Sequence, residues 1–260
     1  MRHFQVETTN ICNSKCIFCP HDRFEKFGIM TDALYEKIVR GAAQYQPDTF
    51  APMLTGEPFC DPQIIDRIRF AREMMPGTRI RLFTNGSLIT DKDIAALSGI
   101  GNIYISVSLN GASRETRQKL MGLDDWDKVM GKINQMVEVG LDPTLTIVWF
   151  PTLTISEIKA FADLRNPFSI QFQSFAGEIY HYKRVAPTSC GRVTEYMTIL
   201  YDGTVNLCCF DPFGKVVFGN LNHQTIEEVW NSPLHLEYLK AHQGNRGQEM
   251  ELCKSCTEGA

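Results

Sequence analysis

From the N-terminus to about residue 175, short runs of β-branched and aromatic residues alternate with segments whose apolar positions recur at helical spacing. The strand-like runs fall at 3–8, 49–55, 79–84, 103–109, 144–150 and 169–175, and amphipathic segments lie between them at about 31–44, 61–74, 90–98, 113–139 and 155–164. In the first of these segments Thr31 stands at the N-cap, with Leu34, Ile38 and Ala42 along one face. Alternation of this kind predicts stacked βα units on a parallel sheet, so the fold class is α/β. Six units fall short of the eight that close a barrel. The expected architecture is a partial (β/α)6 TIM-like barrel, with its functional groups at the C-terminal ends of the strands.

Beyond Pro187 the pattern changes. Strand-like runs at 193–200 and 204–210 flank Tyr201-Asp202-Gly203, a hairpin turn signal, and helical segments follow at about 225–230 and 233–242. Few apolar residues fall in this stretch, which therefore reads as a small hairpin-plus-helix appendage without a core of its own. The expected division is 1–186 for the partial barrel and 187–260 for the appendage.

Composition narrows the function classes. With 260 residues, 43% hydrophobic and 22% charged, the chain is of ordinary globular make-up, and its net charge of -4 leaves no basic excess for a nucleic-acid partner. The opening Met1-Arg2-His3-Phe4-Gln5 lacks an apolar signal core, and no apolar run is long enough to span a bilayer. No membrane partner and a cytoplasmic location are therefore expected. There thiols stay reduced, and the nine cysteines read as metal or catalytic groups instead of disulfides.

Cys12, Cys16 and Cys19 form C-x3-C-x2-C directly after the first strand. Three thiolates on one short loop can wrap a corner of a 4Fe-4S cluster and leave its fourth iron open. The alternative is a structural zinc loop whose fourth ligand lies elsewhere, His21 for instance. A second group comprises Cys190, the adjacent Cys208 and Cys209, and Cys253 with Cys256 in a terminal C-x2-C. Four thiolates from such segments can fully ligate a 4Fe-4S cluster or a zinc ion, and spacing does not tell these apart. Cys60 stands alone after Gly56-Glu57-Pro58-Phe59, either as a small buried hydrophobe or as a thiol that returns a hydrogen atom to a radical.

The N-terminal triplet, with Phe18 in an aromatic position before the last cysteine, resembles the cluster motif of the radical S-adenosylmethionine (SAM) superfamily. Thr55-Gly56-Glu57-Pro58 after the second strand is similar to that family's Gly-Gly-Glu segment, with Thr55 replacing the first glycine. Thr84-Asn85-Gly86 and Ser106-Val107-Ser108-Leu109-Asn110-Gly111 resemble its strand-end segments that line the SAM pocket. The resemblance implies that SAM chelates the open iron and is cleaved reductively to a 5'-deoxyadenosyl radical. It further implies that Phe18 packs near the adenine, that Thr55, Gly56 and Glu57 hold the amino group, that Asn85 lines the pocket, and that Ser108 and Asn110 contact the carboxylate or ribose. Trp149 at the end of the fifth strand is a candidate to flank the adenine.

The second cysteine group resembles the SPASM/Twitch extension of the same superfamily. Cys190 is followed by Asp202-Gly203-Thr204-Val205 leading to Cys208, by Gly219-Asn220-Leu221 before Thr225-Ile226-Glu227-Glu228-Val229-Trp230, and by the terminal C-x2-C. Five cysteines match the shorter Twitch form with one auxiliary 4Fe-4S cluster. Its implied ligands are Cys190, Cys208, Cys253 and Cys256, with Cys209 spare: an exchange ligand, a buried thiol or a hydrogen-atom donor. The implied cofactors are two 4Fe-4S clusters and SAM, and the implied partners are a small polar substrate or a peptide and a reductant such as flavodoxin or ferredoxin. A fully ligated auxiliary cluster suits electron acceptance, hence dehydrogenation of an alcohol; epimerisation through Cys60 or Cys209 and peptide maturation are the alternatives. The first strand starts within a few residues of Met1, where peptide-modifying relatives often carry an extra domain, so a small substrate is expected. Substrate contacts are expected from Gln171, Gln173, Phe175, Glu178, Tyr180 and Tyr182, and basic groups from His181, Lys183 and Arg184.

Overall fold

The computed structural model describes residues 1–165, 167–177, 179–180 and 186–257. Strands β1 (His3–Val6), β2 (Thr49–Ala51), β3 (Arg79–Thr84), β4 (Ile103–Ser108), β5 (Thr144–Val148) and β6 (Phe168–Gln171) alternate with helices. The helices are α1 (Asp32–Ala43), α2 (Ile64–Met74), α3 (Asp91–Ser98), α4 (Arg114–Met121), α5 (Trp126–Glu138) and α6 (Ile155–Leu164). The six strands pair in parallel, each beside its predecessor, and form the expected unclosed barrel wall. Local chemistry sets the helix starts. Thr31 caps α1 by accepting from the Leu34 amide, and Thr90 and Thr154 complete reciprocal capping boxes with Asp93 and Glu157.

The long amphipathic segment predicted at 113–139 is two helices. Gly122, at φ +70, terminates α4 in the left-handed region, and Asp125 begins α5. The C-terminal stretch also departs from expectation. It contains α7 (Gly191–Thr194), β7 (Tyr196–Ile199), β8 (Thr204–Asn206), β9 (Val217–Asn220), α8 (Ile226–Trp230) and α9 (Pro233–Gln243). Strand β7 pairs in parallel with the free side of β1, from His3↔Tyr196 to Val6↔Ile199, and β8 and β9 follow antiparallel. One nine-stranded sheet in the order β6-β5-β4-β3-β2-β1-β7-β8-β9 therefore runs through the anticipated boundary at 186/187. Its core is shared too, since Phe4, Val6, Leu34 and Ile38 belong to the same buried cluster as Ile199, Val205, Leu221 and Val229.

The alternation of side chains along the strands gives the sheet two unlike faces. Phe4, Val6, Phe50, Ile80, Leu82, Ile105, Val107, Leu145 and Ile147 pack under the helices. The opposite, inner face carries Gln5, Glu7, Arg81, Tyr104, Ser106, Ser108, Thr146 and Ser169 and is mostly polar, with Ala51, Phe83 and Val148 as its apolar members.

Candidate functional site

The cysteine triplet lies where β1 runs out, on a loop pinned at several points. Lys15 and Ile17 donate their amides to the carbonyls of Met121 and Leu120 at the end of α4. Ser14, within the first spacer, donates its hydroxyl to the Met121 carbonyl at 2.8 Å and lies 3.0 Å from Cys16 Sγ, while its amide points to Cys12 Sγ at 3.5 Å. On the other side Asn10 braces the loop against 26–28 through Lys26 O and the Gly28 amide. Burial is the main force that pushes the Cys12 and Cys19 thiols up to about 12, and the neighbouring thiols add to it. Three sulfurs whose negative forms are disfavoured by burial and by one another suit a strongly positive iron centre. Among the described residues no three His, Cys, Asp or Glu side chains converge as ligands of a single ion. A cubane takes one thiolate per iron and so holds its ligands farther apart. His21, the suggested fourth zinc ligand, directs Nε2 to the Asn10 carbonyl at 2.8 Å, so that nitrogen donates a hydrogen bond and is closed to a metal.

The segment after β2 is fitted against this loop. A Cβ on Gly56 would stand 2.3 Å from the Thr9 carbonyl oxygen and 2.8 Å from that of Ile11, so only glycine allows the approach. Next to it, the Glu57 amide donates to Ile11 O. The Glu57 carboxylate is 3% exposed and accepts from Thr84 Oγ1 at 2.6 Å and from the Asn85 amide at 2.7 Å. Burial raises it to about 7, against these hydrogen bonds and the Arg117 charge. Asn85 in turn donates to Asn13 Oδ1 in the cysteine loop. Thr55 donates both its amide and its hydroxyl to Glu7 at the end of β1.

Of the other expected pocket residues, Asn110 is committed to the fold. Its side chain accepts from the Val148 amide at 2.8 Å, it is 2% exposed, and its φ of +56 is one that asparagine tolerates. Ser108 lies on the inner face at the end of β4. Phe18 packs with Leu120, Met121 and Val148 in a small cluster of its own, and its ring is 6.4 Å from Phe150. Trp149 meets the rings of Phe172 and Tyr180 at the end of β5.

No sequence signal marks the group that ties these strand ends together. Arg117, on α4, is completely buried and donates to Asp125 Oδ1 at 2.7 Å and to the carbonyls of Asn85, Ser108 and Leu109. One guanidinium thus joins the ends of β3 and β4 below the cysteine loop. Glu7 was equally unannounced. Buried at 2% exposure, it accepts from Thr55 and from the Tyr201 amide and links β1, the β2 loop and the β7–β8 turn.

The second cysteine group also comes together. Cys190 stands just before α7, Cys208 follows β8, and Cys253 and Cys256 bracket a 3-10 turn. Cys253 feels both Cys256 and Cys190, and burial together with these neighbours pushes its thiol up to about 12. Cys208 is raised well above the usual thiol range, by burial first and then by Cys209 and, more weakly, Cys253. Asn206 donates to the carbonyls of Cys208 and Asp211 and so shapes the ligand loop. The spare Cys209 is hydrogen-bonded by Arg192, whose guanidinium lies 4.6 Å above the Phe210 ring. Cys60 is half-buried on a 3-10 turn after Glu57, and the Asn13 amide donates to its sulfur. Gln171 and Gln173 are hydrogen-bonded to each other, and Phe175 meets Phe210. Glu178, His181, Tyr182, Lys183 and Arg184 lie outside the described residues.

Residues 6–165 match the family model of the radical SAM superfamily, and residues 190–257 that of the SPASM iron-sulfur cluster-binding domain. The chain is 25% identical over 260 residues to the S-adenosyl-L-methionine-dependent 2-deoxy-scyllo-inosamine dehydrogenase of Niallia circulans, covering 97% of this chain and 91% of that relative. It is 29% identical over 145 residues to a probable GTP 3',8-cyclase of Saccharolobus islandicus, a match over 55% of this chain that spans 46% of the cyclase. Among solved structures, BtrN in complex with AdoMet and 2-DOIA superposes with a TM-score of 0.69 at 19% identity, over 98% of this chain and 92% of that one. Streptococcus suis SuiB bound to its precursor peptide SuiA does so with a TM-score of 0.78 at 16% identity, over 99% and 71% respectively. Both structural likenesses are likenesses of fold. No helix among the described residues is long and apolar enough to cross a membrane. The two matched families imply two iron-sulfur clusters and SAM as cofactors. With its triplet at the end of β1, its Gly56-Glu57 segment against that loop and a second cysteine group on the same sheet, this chain belongs to the radical SAM superfamily and is a radical SAM enzyme with a SPASM domain.

Proposed function

We propose that the chain is a SAM-dependent radical dehydrogenase that oxidises an alcohol carbon of a small polar metabolite. The observation that carries this reading is the near full-length match to a dehydrogenase of that kind, combined with a second group of four cysteines on a sheet continuous with the barrel wall. In this reading Cys12, Cys16 and Cys19 hold one cluster, and Cys190, Cys208, Cys253 and Cys256 hold the other. When bound, these groups supply the electron that cleaves SAM to a 5'-deoxyadenosyl radical and a one-electron acceptor for the oxidation. The protein's part is positional. Gly56 lets the backbone approach the cysteine loop, and Thr84 and Asn85 fix the Glu57 carboxylate in place for the SAM amino group. Phe18 and Trp149 supply apolar walls for the adenine, while Ser108 and the polar inner face accept a hydrophilic substrate.

The test is anaerobic incubation of the reconstituted, reduced enzyme with SAM and candidate polyols, 2-deoxy-scyllo-inosamine among them. A product lighter by two hydrogens, formed with one equivalent of 5'-deoxyadenosine, is the expected result. Consumption of SAM with product of unchanged mass would refute dehydrogenation. A second reading, epimerisation, is favoured by the place of Cys60, half-buried beside Asn13 and Glu57 at the edge of the cluster loop. Solvent deuterium in the product, lost in Cys60→Ala, would establish it. Cys209 is the weaker hydrogen donor because Arg192 engages it. A peptide substrate is tested in the same assay with peptides in place of polyols.

A further inference from the structure

Among the described residues Arg81, on the inner face, has no counter-ion, and neither has its exposed neighbour Arg79. Arg81 lies in the middle of β3, and the register of the sheet sets it in a transverse row with five other side chains. Arg81 is opposite Tyr104 on β4; the β2–β3 pairing carries on to Ala51; Ala51 is opposite Gln5, Gln5 is opposite Thr198, and Thr198 is opposite Asn206. The Arg81 guanidinium is held over the rings of Phe83, at 5.1 Å, and Tyr104, at 5.5 Å. Stacking of this kind satisfies the flat faces of the guanidinium and leaves its N–H groups, which lie in the plane, free to donate. Among the described residues no carboxylate salt-bridges it and no acceptor takes its donors.

Glu7 and the carboxylates around His3 are already engaged. Glu7 accepts from Thr55 and Tyr201, Asp48 pairs with Arg2 at 2.6 Å, and Glu195 faces His3 at 3.7 Å. His3 is the titratable group closest to Arg81 on the adjoining row, and it adds no negative charge. A second observation points the same way. Thr198 Oγ1 and Asn206 Oδ1, each in a residue 1% exposed, have no hydrogen-bond partner, although buried polar atoms are nearly always paired.

We propose that this row is a substrate subsite and that Arg81 selects a polyol bearing an anionic group, a carboxylate or a phosphate. The relative named above acts on an aminocyclitol, whose amine carries the opposite charge, so this chain would differ from it in substrate charge. The inference rests on the reading of the chain as a radical enzyme of small polar metabolites. Binding is measured apart from turnover, so the two fail separately.

The experiment is calorimetric titration of the anaerobic holoenzyme, with SAM present, using myo-inositol 1-phosphate, glucuronate, neutral myo-inositol and 2-deoxy-scyllo-inosamine. At least one anionic compound should bind roughly tenfold or more tightly than the neutral one, as a charge-assisted pair provides. Whichever of the phosphate and the carboxylate binds more tightly names the group. In Arg81→Gln the preference should fall to within about threefold, and Arg81→Lys should keep part of it because the charge is retained. Equal or tighter binding of the neutral or amino compound by wild type overturns the assignment, whatever the variants do. Retention of the full anion preference in a folded Arg81→Gln overturns it as well. A bound anionic polyol that yields no product lighter by two hydrogens counts against the dehydrogenase reading and leaves the subsite standing.

Discussion

Replacing Arg117 with methionine removes a side chain that ties the ends of both β3 and β4 to α4. Arg117 is fully buried, and its partner Asp125 is 16% exposed. Burial alone would raise the Asp125 carboxyl, but the hydrogen bonds from Arg117 and Ser87 outweigh it and hold Asp125 below the usual carboxylate range. Breaking a buried pair from one side costs about 3–5 kcal/mol, because the remaining charge stays behind without compensation. The carbonyls of Asn85, Ser108 and Leu109 lose a donor at the same time. A loss near 4 kcal/mol is about a quarter to four-fifths of the 5–15 kcal/mol that stabilises a typical domain. For a chain of this length it corresponds to a fall of roughly 8 °C in the melting temperature. The assay is thermal unfolding of the anaerobic holoprotein followed by circular dichroism. Arg117→Met combined with Asp125→Leu should recover about 1–2 kcal/mol, since removal of both partners leaves no orphaned charge. The sign with pH follows from the depressed Asp125: its contribution is complete above the ordinary carboxylate range and is lost as pH falls through the folded-state value, a dependence absent in Arg117→Met. A single variant that melts within about 2 °C of wild type, or a double variant no better than the single, would refute the reasoning.

Three further outcomes follow from the site. Burial raises the Glu7 carboxyl above its unfolded value, so its charged form costs stability as pH rises through that interval. Glu7→Gln, whose single amide oxygen keeps the two Thr55 donors while its NH2 leaves the Tyr201 amide without an acceptor, should lose this pH dependence in urea unfolding. Gly56→Ala forces a Cβ against the Thr9 and Ile11 carbonyls. It should therefore lower iron from about eight to about four per chain by iron analysis, with the loss in the SAM-binding cluster. Cys253→Ser should also remove about four irons but leave reductive cleavage of SAM in place, measured as 5'-deoxyadenosine formed without substrate.

The repeating βα units were legible because period-2 and period-3.6 patterns are local, and the cysteine spacings because ligand geometry on one loop is local too. What stayed hidden is long-range or runs against the pattern. Gly122 sits in a stretch whose apolar periodicity continues past it, so only its left-handed backbone reveals that the helix stops there. Arg117 has the composition of an exposed helix position, yet the strand ends leave carbonyls that draw it inside. Asn110 stands in a segment that resembles SAM-lining ones, but its amide oxygen serves the Val148 amide, a need set by β5, nearly forty residues on. The parallel pairing of β7 with β1 joins segments about 190 residues apart, and no motif in either predicts it. The strand β9 was also missed, because Val217-Phe218-Gly219-Asn220 is short and interrupted by glycine.

That pairing has a consequence for how the protein is made. Of the strands of this sheet, residues 3–6 leave the ribosome before the others, yet in the finished sheet they lie between β2 and β7. At about 5–20 residues per second, β1 waits roughly 10–40 s for residues 196–199, with a row of backbone donors and acceptors bare beside Phe4 and Val6. A nascent chain at this stage exposes an edge of the kind that recruits other strands. A chain cut at residue 186 would keep that edge for good. The cysteine-bearing C-terminal region therefore also acts as a closing seam of biosynthesis, and the arrival of residues 196–199 decides whether β1 is sheltered or aggregates.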